Sequence, residues 1–205
     1  MAKHLFSQTP YFYGMTDMYM QMGYFPYPGQ SLDEQADMTI GIPLAAAMAM
    51  QCKYYLGQTE PILAGNGTSS WAALVNPPRS GIHLFINEYV ISNQSAEHTA
   101  RVQLWFGKSS ALGTPAVSPS VTSGFVQPSP CPLAQGQLVS DTGSLPEDGV
   151  VAATRLIPPR TSVAAEKTGH WILAPGTALL FFVPAEEEAA ELIVSVGWWE
   201  QPIYR

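Results

Sequence analysis

The sequence predicts an all-β fold, a two-sheet antiparallel β-sandwich of jelly-roll type, with an extended N-terminal arm that contains one short helix. Three observations predict it. After Gly57, short stretches of alternating or continuous apolar residues follow one another, separated by Pro, Gly, Asn and Ser. No second long helical pattern interrupts them. The third observation is a partition of residue types: the 8 methionines all lie in the first 50 residues, and the 5 tryptophans all follow residue 70.

That partition divides the chain into residues 1–51, an assembly arm, and residues 52–205, the β-sandwich domain. From Tyr11 to Gln30 the aromatic, methionine, glycine and proline residues show no period, so this part is expected to gain order on contact with a partner. Methionine packs against irregular surfaces, and tyrosine adds contact area at low entropic cost. The candidate assembly contacts are Tyr11, Tyr13, Met18, Met20, Met22, Tyr24 and Phe25, continued by Leu44, Met48 and Cys52. Leu44, Ala47, Met48, Gln51 and Tyr55 recur at helical spacing behind Pro43, which suits a first turn, so a helix is expected over about residues 43–54.

In the domain, Trp71–Val75 is the first expected strand. Ile82, Leu84 and Ile86 alternate and run on to Ile91, a turn follows at Ser92–Ser95, and Val102, Leu104 and Phe106 alternate again. This reads as two antiparallel strands. Val121–Val126, Val150–Ile157, Thr161–Ala165, His170–Ala174, Ala178–Val183 and Leu192–Trp199 complete the set. Residues 109–145 form a Pro- and Ser-rich excursion, long enough to be a surface feature with a task of its own.

Charged residues make up only 12% of the chain, and the formal net charge is −7. So weakly charged a surface eases association between copies. The 9 Lys and Arg residues are scattered without a basic run, which argues against a nucleic-acid partner. The most apolar stretch, Ala178–Val183, is too short to span a bilayer. Lys3 and His4 precede polar and aromatic residues rather than a signal-type apolar run, so synthesis in the cytosol is expected, and any export without a classical signal. Cys52 and Cys131 lack metal-type spacing. The plain reading is two free thiols, and the alternative is a crosslink from Cys52 to another subunit.

The string Leu138–Ser144, with Asp141 in Asp-Thr-Gly, looks like an aspartic-protease active site. That chemistry needs two facing carboxylates that share a proton, and the string occurs once. A hydrolase built on Asp141 is therefore a remote alternative, and the chain is read as a non-enzyme that needs no cofactor. His4, His83, His98 and His170 have no paired ligand spacing, the run Glu186, Glu187, Glu188 and Glu191 reads as a solvated acidic turn, and Gly65-Asn66-Gly67 reads as a tight turn. Alternation places one of Trp198 and Trp199 inward and the other outward. Trp105 and Trp199 are the candidates for stacking on a sugar ring, which makes a carbohydrate-binding module the second reading, with a glycan as its partner.

Tyr55-Leu56-Gly57-Gln58-Thr59, Gly65-Asn66-Gly67, Trp71-Ala72, Asn76-Pro77, Ser80-Gly81, Leu84-Phe85-Ile86-Asn87 and the closing Gly197-Trp198-Trp199-Glu200 occur in that order. Together, over about residues 54–200, they resemble an uncharacterised β-rich family of proteins from spore-forming Firmicutes. The arm lies outside the resemblance. It implies a β-rich domain in a spore-former, with no catalytic residues to carry over. At the level of architecture, a sandwich with a flexible arm is similar to subunits of spore appendages and other self-assembling fibres. The leading expectation is a structural subunit that forms a head-to-tail homopolymer, its arm docking on a neighbouring copy, in an extracellular or spore-surface filament or layer.

Overall fold

A computed structural model describes residues 19–21, 39–144, 149–186 and 188–203, with side chains from residue 41 onward. The backbone divides into two compact units between Ala47 and Met48. In the first, β1 (Tyr19–Gln21) pairs antiparallel with β2 (Thr39–Gly41), placing Met20 opposite Ile40.

The expected helix forms as α1 (Leu44–Met50), with the Pro43 carbonyl accepting from Ala47 N. It ends sooner than its apolar spacing suggests. Cys52 takes φ 57°, its N–H bonds to Ala49 O at 2.8 Å, and Lys53 N–H reaches back to Met48 O at 2.9 Å. This is a Schellman stop with cysteine where glycine is usual. Tyr55, which continues the helical spacing, therefore starts a sheet instead.

The second unit holds β3 (Tyr54–Gln58), β4 (Ile62–Ala64), β5 (Ser70–Val75), β6 (Ile82–Asn93), β7 (Ala100–Lys108), β8 (Ala116–Val117), β9 (Val121–Ser123), β10 (Gln137–Thr142), β11 (Val150–Ile157), β12 (Thr161–Leu173), β13 (Thr177–Val183) and β14 (Ala190–Pro202). Its pairing is nested: β3 with β14, β5 with β13, β6 with β12, β7 with β11, all antiparallel. This is one long hairpin. Rolled up, it gives sheets of order β11-β7-β13-β5-β10-β8 and β12-β6-β14-β3-β9, with β4 also on β14. The two-sheet jelly roll is thus the fold that the sequence predicts.

Rolling corrects a local reading. β6 and β7, expected to be antiparallel neighbours, lie in opposite sheets, because the turn after Asn93 crosses the sandwich instead of closing a hairpin. The two strands expected at Thr161–Ala165 and His170–Ala174 are one strand, β12, with a bulge between Glu166 and Trp171. Leu84, Ile86, Tyr89, Leu104, Phe181 and Trp198 are buried in the core between the sheets. A second apolar cluster lies on the other face of the first sheet, where Trp71, Ala73, Val139, Leu180 and Phe182 meet Leu112. Both faces of that sheet are therefore apolar, which explains why β5 and β13 read as continuous runs.

Candidate assembly surface

Of the candidate contacts, Tyr11, Tyr13, Met18, Met22, Tyr24 and Phe25 lie outside the described residues, and Met20 is described as backbone in β1. Leu44 is 39% exposed. Met48 is buried within the second unit, its sulfur accepting from Gln201 Nε2 at 4.0 Å, so it presents nothing to a neighbour. Cys52 is neither a free thiol nor a link to another subunit: it forms a disulfide with Cys131 of the same chain, with Cα atoms 5.3 Å apart. The pairing follows from the fold rather than from spacing, because residues 109–144 return over the root of β3.

The bonds of that excursion close one flank of the sandwich. β9 pairs along β3, β8 pairs along β10, and β10 pairs along β5. Tyr55 Oη donates to Pro132 O at 3.3 Å. Glu200, buried and inward-facing on β14, accepts from Gln135 N at 3.0 Å, Gly136 N at 2.8 Å and Trp198 Nε1 at 3.2 Å. Gly136 has to lack a side chain, since a Cβ there would lie 2.9 Å from both Leu84 Cδ1 and Trp198 Nε1. Burial, followed by the Glu200 charge, raises the pKa of Tyr55 beside it.

Within this closure the string around Asp141 is strand β10. Asp141 pairs with Trp71, is exposed, and accepts from Thr142 N at 2.7 Å. In the acidic turn, Glu186 pairs with Arg101 at 3.0 Å, and Glu188 Oε2 lies 2.6 Å from His98 Nδ1.

Neither tryptophan proposed for sugar stacking stands free. Trp105 is half-buried against the second apolar cluster and donates from Nε1 to Gln103 Oε1 at 3.2 Å. Trp199 points to the outer side of its sheet, as alternation requires, yet is only 2% exposed. Phe85 stacks on it at 5.4 Å with planes 2° apart, and the β12 bulge presses down so closely that a Cβ on Gly169 would lie 2.2 Å from Trp199 Cη2. Period-two spacing gives the face of a residue and not what covers it. Nearby, Tyr54 crosses Gly197 to donate to Glu88 Oε1 at 3.0 Å, and Asn87 Nδ2 donates to Tyr54 Oη at 3.3 Å. Burial pushes the Tyr54 phenol up to about 12; the Asn87 bond acts against this, and the Glu88 charge and bond add to it.

The opposite flank stays open among the described residues. There the end strands are β11, paired only with β7, and β12, paired only with β6. Their outward edges carry backbone groups without a strand partner. β12 is guarded by Glu166, Lys167 and His170 and by its bulge, and Lys167 Nζ sits 4.2 Å over the Trp171 ring. β11 has one charge, Arg155, and exposes Val150 by 72%, Val151 by 49% and Leu156 by 66%. Val150–Ile157 was legible as a strand, but its place at the edge depends on the whole roll.

The profile of one protein family, described as "Family of unknown function (DUF6143)", matches residues 28–205. The chain belongs to this family. The DUF6143 match begins within the arm, so residues 28–51 lie inside the family region, which corrects the expectation that the whole arm lies outside it. No curated protein and no solved structure matches the chain.

Proposed function

We propose that this DUF6143 protein is a structural subunit that assembles with copies of itself into a filament or layer, residues 1–51 of one copy docking on the next. The observation that carries the reading is the contrast between the two flanks. A Pro-rich excursion, a disulfide and a buried carboxylate close one side, while an eight-residue strand with exposed Val150, Val151 and Leu156 ends the other. An apolar strand edge left uncovered favours contact between copies, and an arm rich in methionine and tyrosine suits docking on a protein surface.

The disulfide supports a destination outside the reducing cytosol. The extracellular or spore-surface setting agrees with the sequence resemblance. No helix among the described residues is long and apolar enough to cross a membrane. Negative-stain microscopy of the full chain is expected to show fibres or sheets, and the chain lacking residues 1–47 is expected to show single particles. Equal assembly by both would remove the arm from the mechanism, and single particles from both would remove the reading.

A further inference from the structure

We propose that β11 is a two-fold contact: the strand pairs antiparallel with β11 of a second copy about an axis at Thr154, fusing two six-stranded sheets into one. This contact does not depend on the arm.

The register follows from a bulge. Val151 pairs with Trp105 and Ala153 with Leu104, which leaves Ala152 as an extra residue. Without it, Val151 and Leu156 would point to opposite faces. With it, Val151, Thr154 and Leu156 share the outer face, aligned with Trp105, Gln103 and Arg101 of β7. Val150, Ala153, Arg155 and Ile157 share the inner one, aligned with Phe106, Leu104, Val102 and Ala100.

Skipping the bulge in both copies makes the strand self-complementary about Thr154. Thr154 then meets Thr154, Ala153 meets Arg155, Val151 meets Leu156 and Val150 meets Ile157, each pair on one face. The exposed apolar side chains Val151 and Leu156 cover each other twice, and a Thr–Thr pair is a favourable cross-strand neighbour. The one charged residue, Arg155, faces alanine. Gly149 and the pair Pro158-Pro159 bound the strand, so pairing has defined ends.

The fold also argues for a second copy of the same edge as the occupant. The far edge of the same sheet is β8, two residues long, and gives β11 almost nothing to pair with head-to-tail. β12 offers charges and its own bulge. Like pairs with like, as an isologous interface requires.

The test uses the full-length chain, in which Cys52 and Cys131 are already joined. Thr154→Cys introduces a single free thiol at the axis. Directly opposed strand residues have Cα atoms about 4.5–5.5 Å apart, within disulfide reach. Mild oxidation is expected to give a covalent dimer. Leu156→Cys is expected to give none, because the two copies of that position lie roughly 13 Å apart along the strands. In sedimentation, Leu156→Lys is expected to weaken the dimer at least about tenfold. Leu63→Lys, at an exposed site on β4, is expected to leave it unchanged.

A monomeric wild type, equal crosslinking at both positions, or a dimer indifferent to Leu156→Lys would overturn the proposal. Dimers without fibres would leave this contact standing and would count against the assembly proposed above.

Discussion

Trp198 Nε1 and Glu200 Oε1 lie 3.2 Å apart on the inward side of β14, so an indole and a carboxylate from one strand meet inside the sandwich. The same carboxylate takes the amides of Gln135 and Gly136 and so holds the end of a Pro-rich excursion against the core. Glu200→Ala would leave three N–H groups without an acceptor. Each such orphan costs about 1–3 kcal/mol, so a loss of roughly 3–5 kcal/mol is expected in urea unfolding. Glu200→Gln keeps an acceptor and is expected to cost less than half as much. A loss below about 1 kcal/mol for the alanine variant, the size of one ordinary bond, would mean that water replaces the carboxylate.

Cys52 and Cys131 close a stretch with a sequence separation of 79. Chain entropy gives such a crosslink about 4 kcal/mol of stability. Reductant, or Cys131→Ser, is expected to lower the melting temperature by roughly 8–16 °C, at about 2–4 °C per kcal/mol for a chain of this size. Cys52→Gly with Cys131→Ser is expected to recover about 1 kcal/mol of the loss, because glycine accepts φ 57° at the helix stop without strain. Identical melting with and without reductant would show that the excursion stays in place through Glu200, β9 and β10 alone.

Much of the roll was legible because burial writes itself into the sequence. β13 is a run of apolar residues since both faces of its sheet are covered, and β6 alternates since one of its faces is the core. β3 was hidden because Tyr55 continues a helical spacing that Cys52 breaks by its backbone angle. β10 was hidden because its strand residues spell a catalytic string. No local signal sends β6 and β7 to opposite sheets, or leaves β11 at an edge while β9 and β10 close the other flank. The candidate surface is thus a property of the roll, and its residues were legible as a strand only.

Gly197 makes a track for Tyr54: a Cβ there would lie 2.3 Å from Tyr54 Oη and 3.1 Å from Glu88 Oε1. Gly197→Ala is therefore expected to destabilise the protein by about 1–3 kcal/mol, the usual cost of overpacking. Tyr54→Phe removes the hydroxyl that is struck. The double variant is expected to lose less than the sum of the two single variants, by at least about 0.5 kcal/mol in chemical unfolding. Strict additivity would show that Gly197 is required for some reason other than this contact.

Tyr54 also gives an alkaline signature. In the folded chain its phenol keeps its proton to about 12, chiefly because it is buried. In the unfolded chain the proton leaves near the usual value of about 10. Between these values the unfolded state binds fewer protons than the folded state, so the free energy of unfolding falls as pH rises. The contribution is whole below pH about 10 and is lost as pH climbs through about 12. The measurement is a comparison that isolates this phenol: urea midpoints of wild type and Tyr54→Phe from pH about 9 to about 12, the range set by these two values. The wild type is expected to fall more steeply, and its phenolate absorbance is expected to show one late-titrating tyrosine that the variant lacks. Parallel midpoints would mean that the phenol ionises in the folded protein as readily as in the unfolded one, and that the contact with Glu88 does not hold the proton in place.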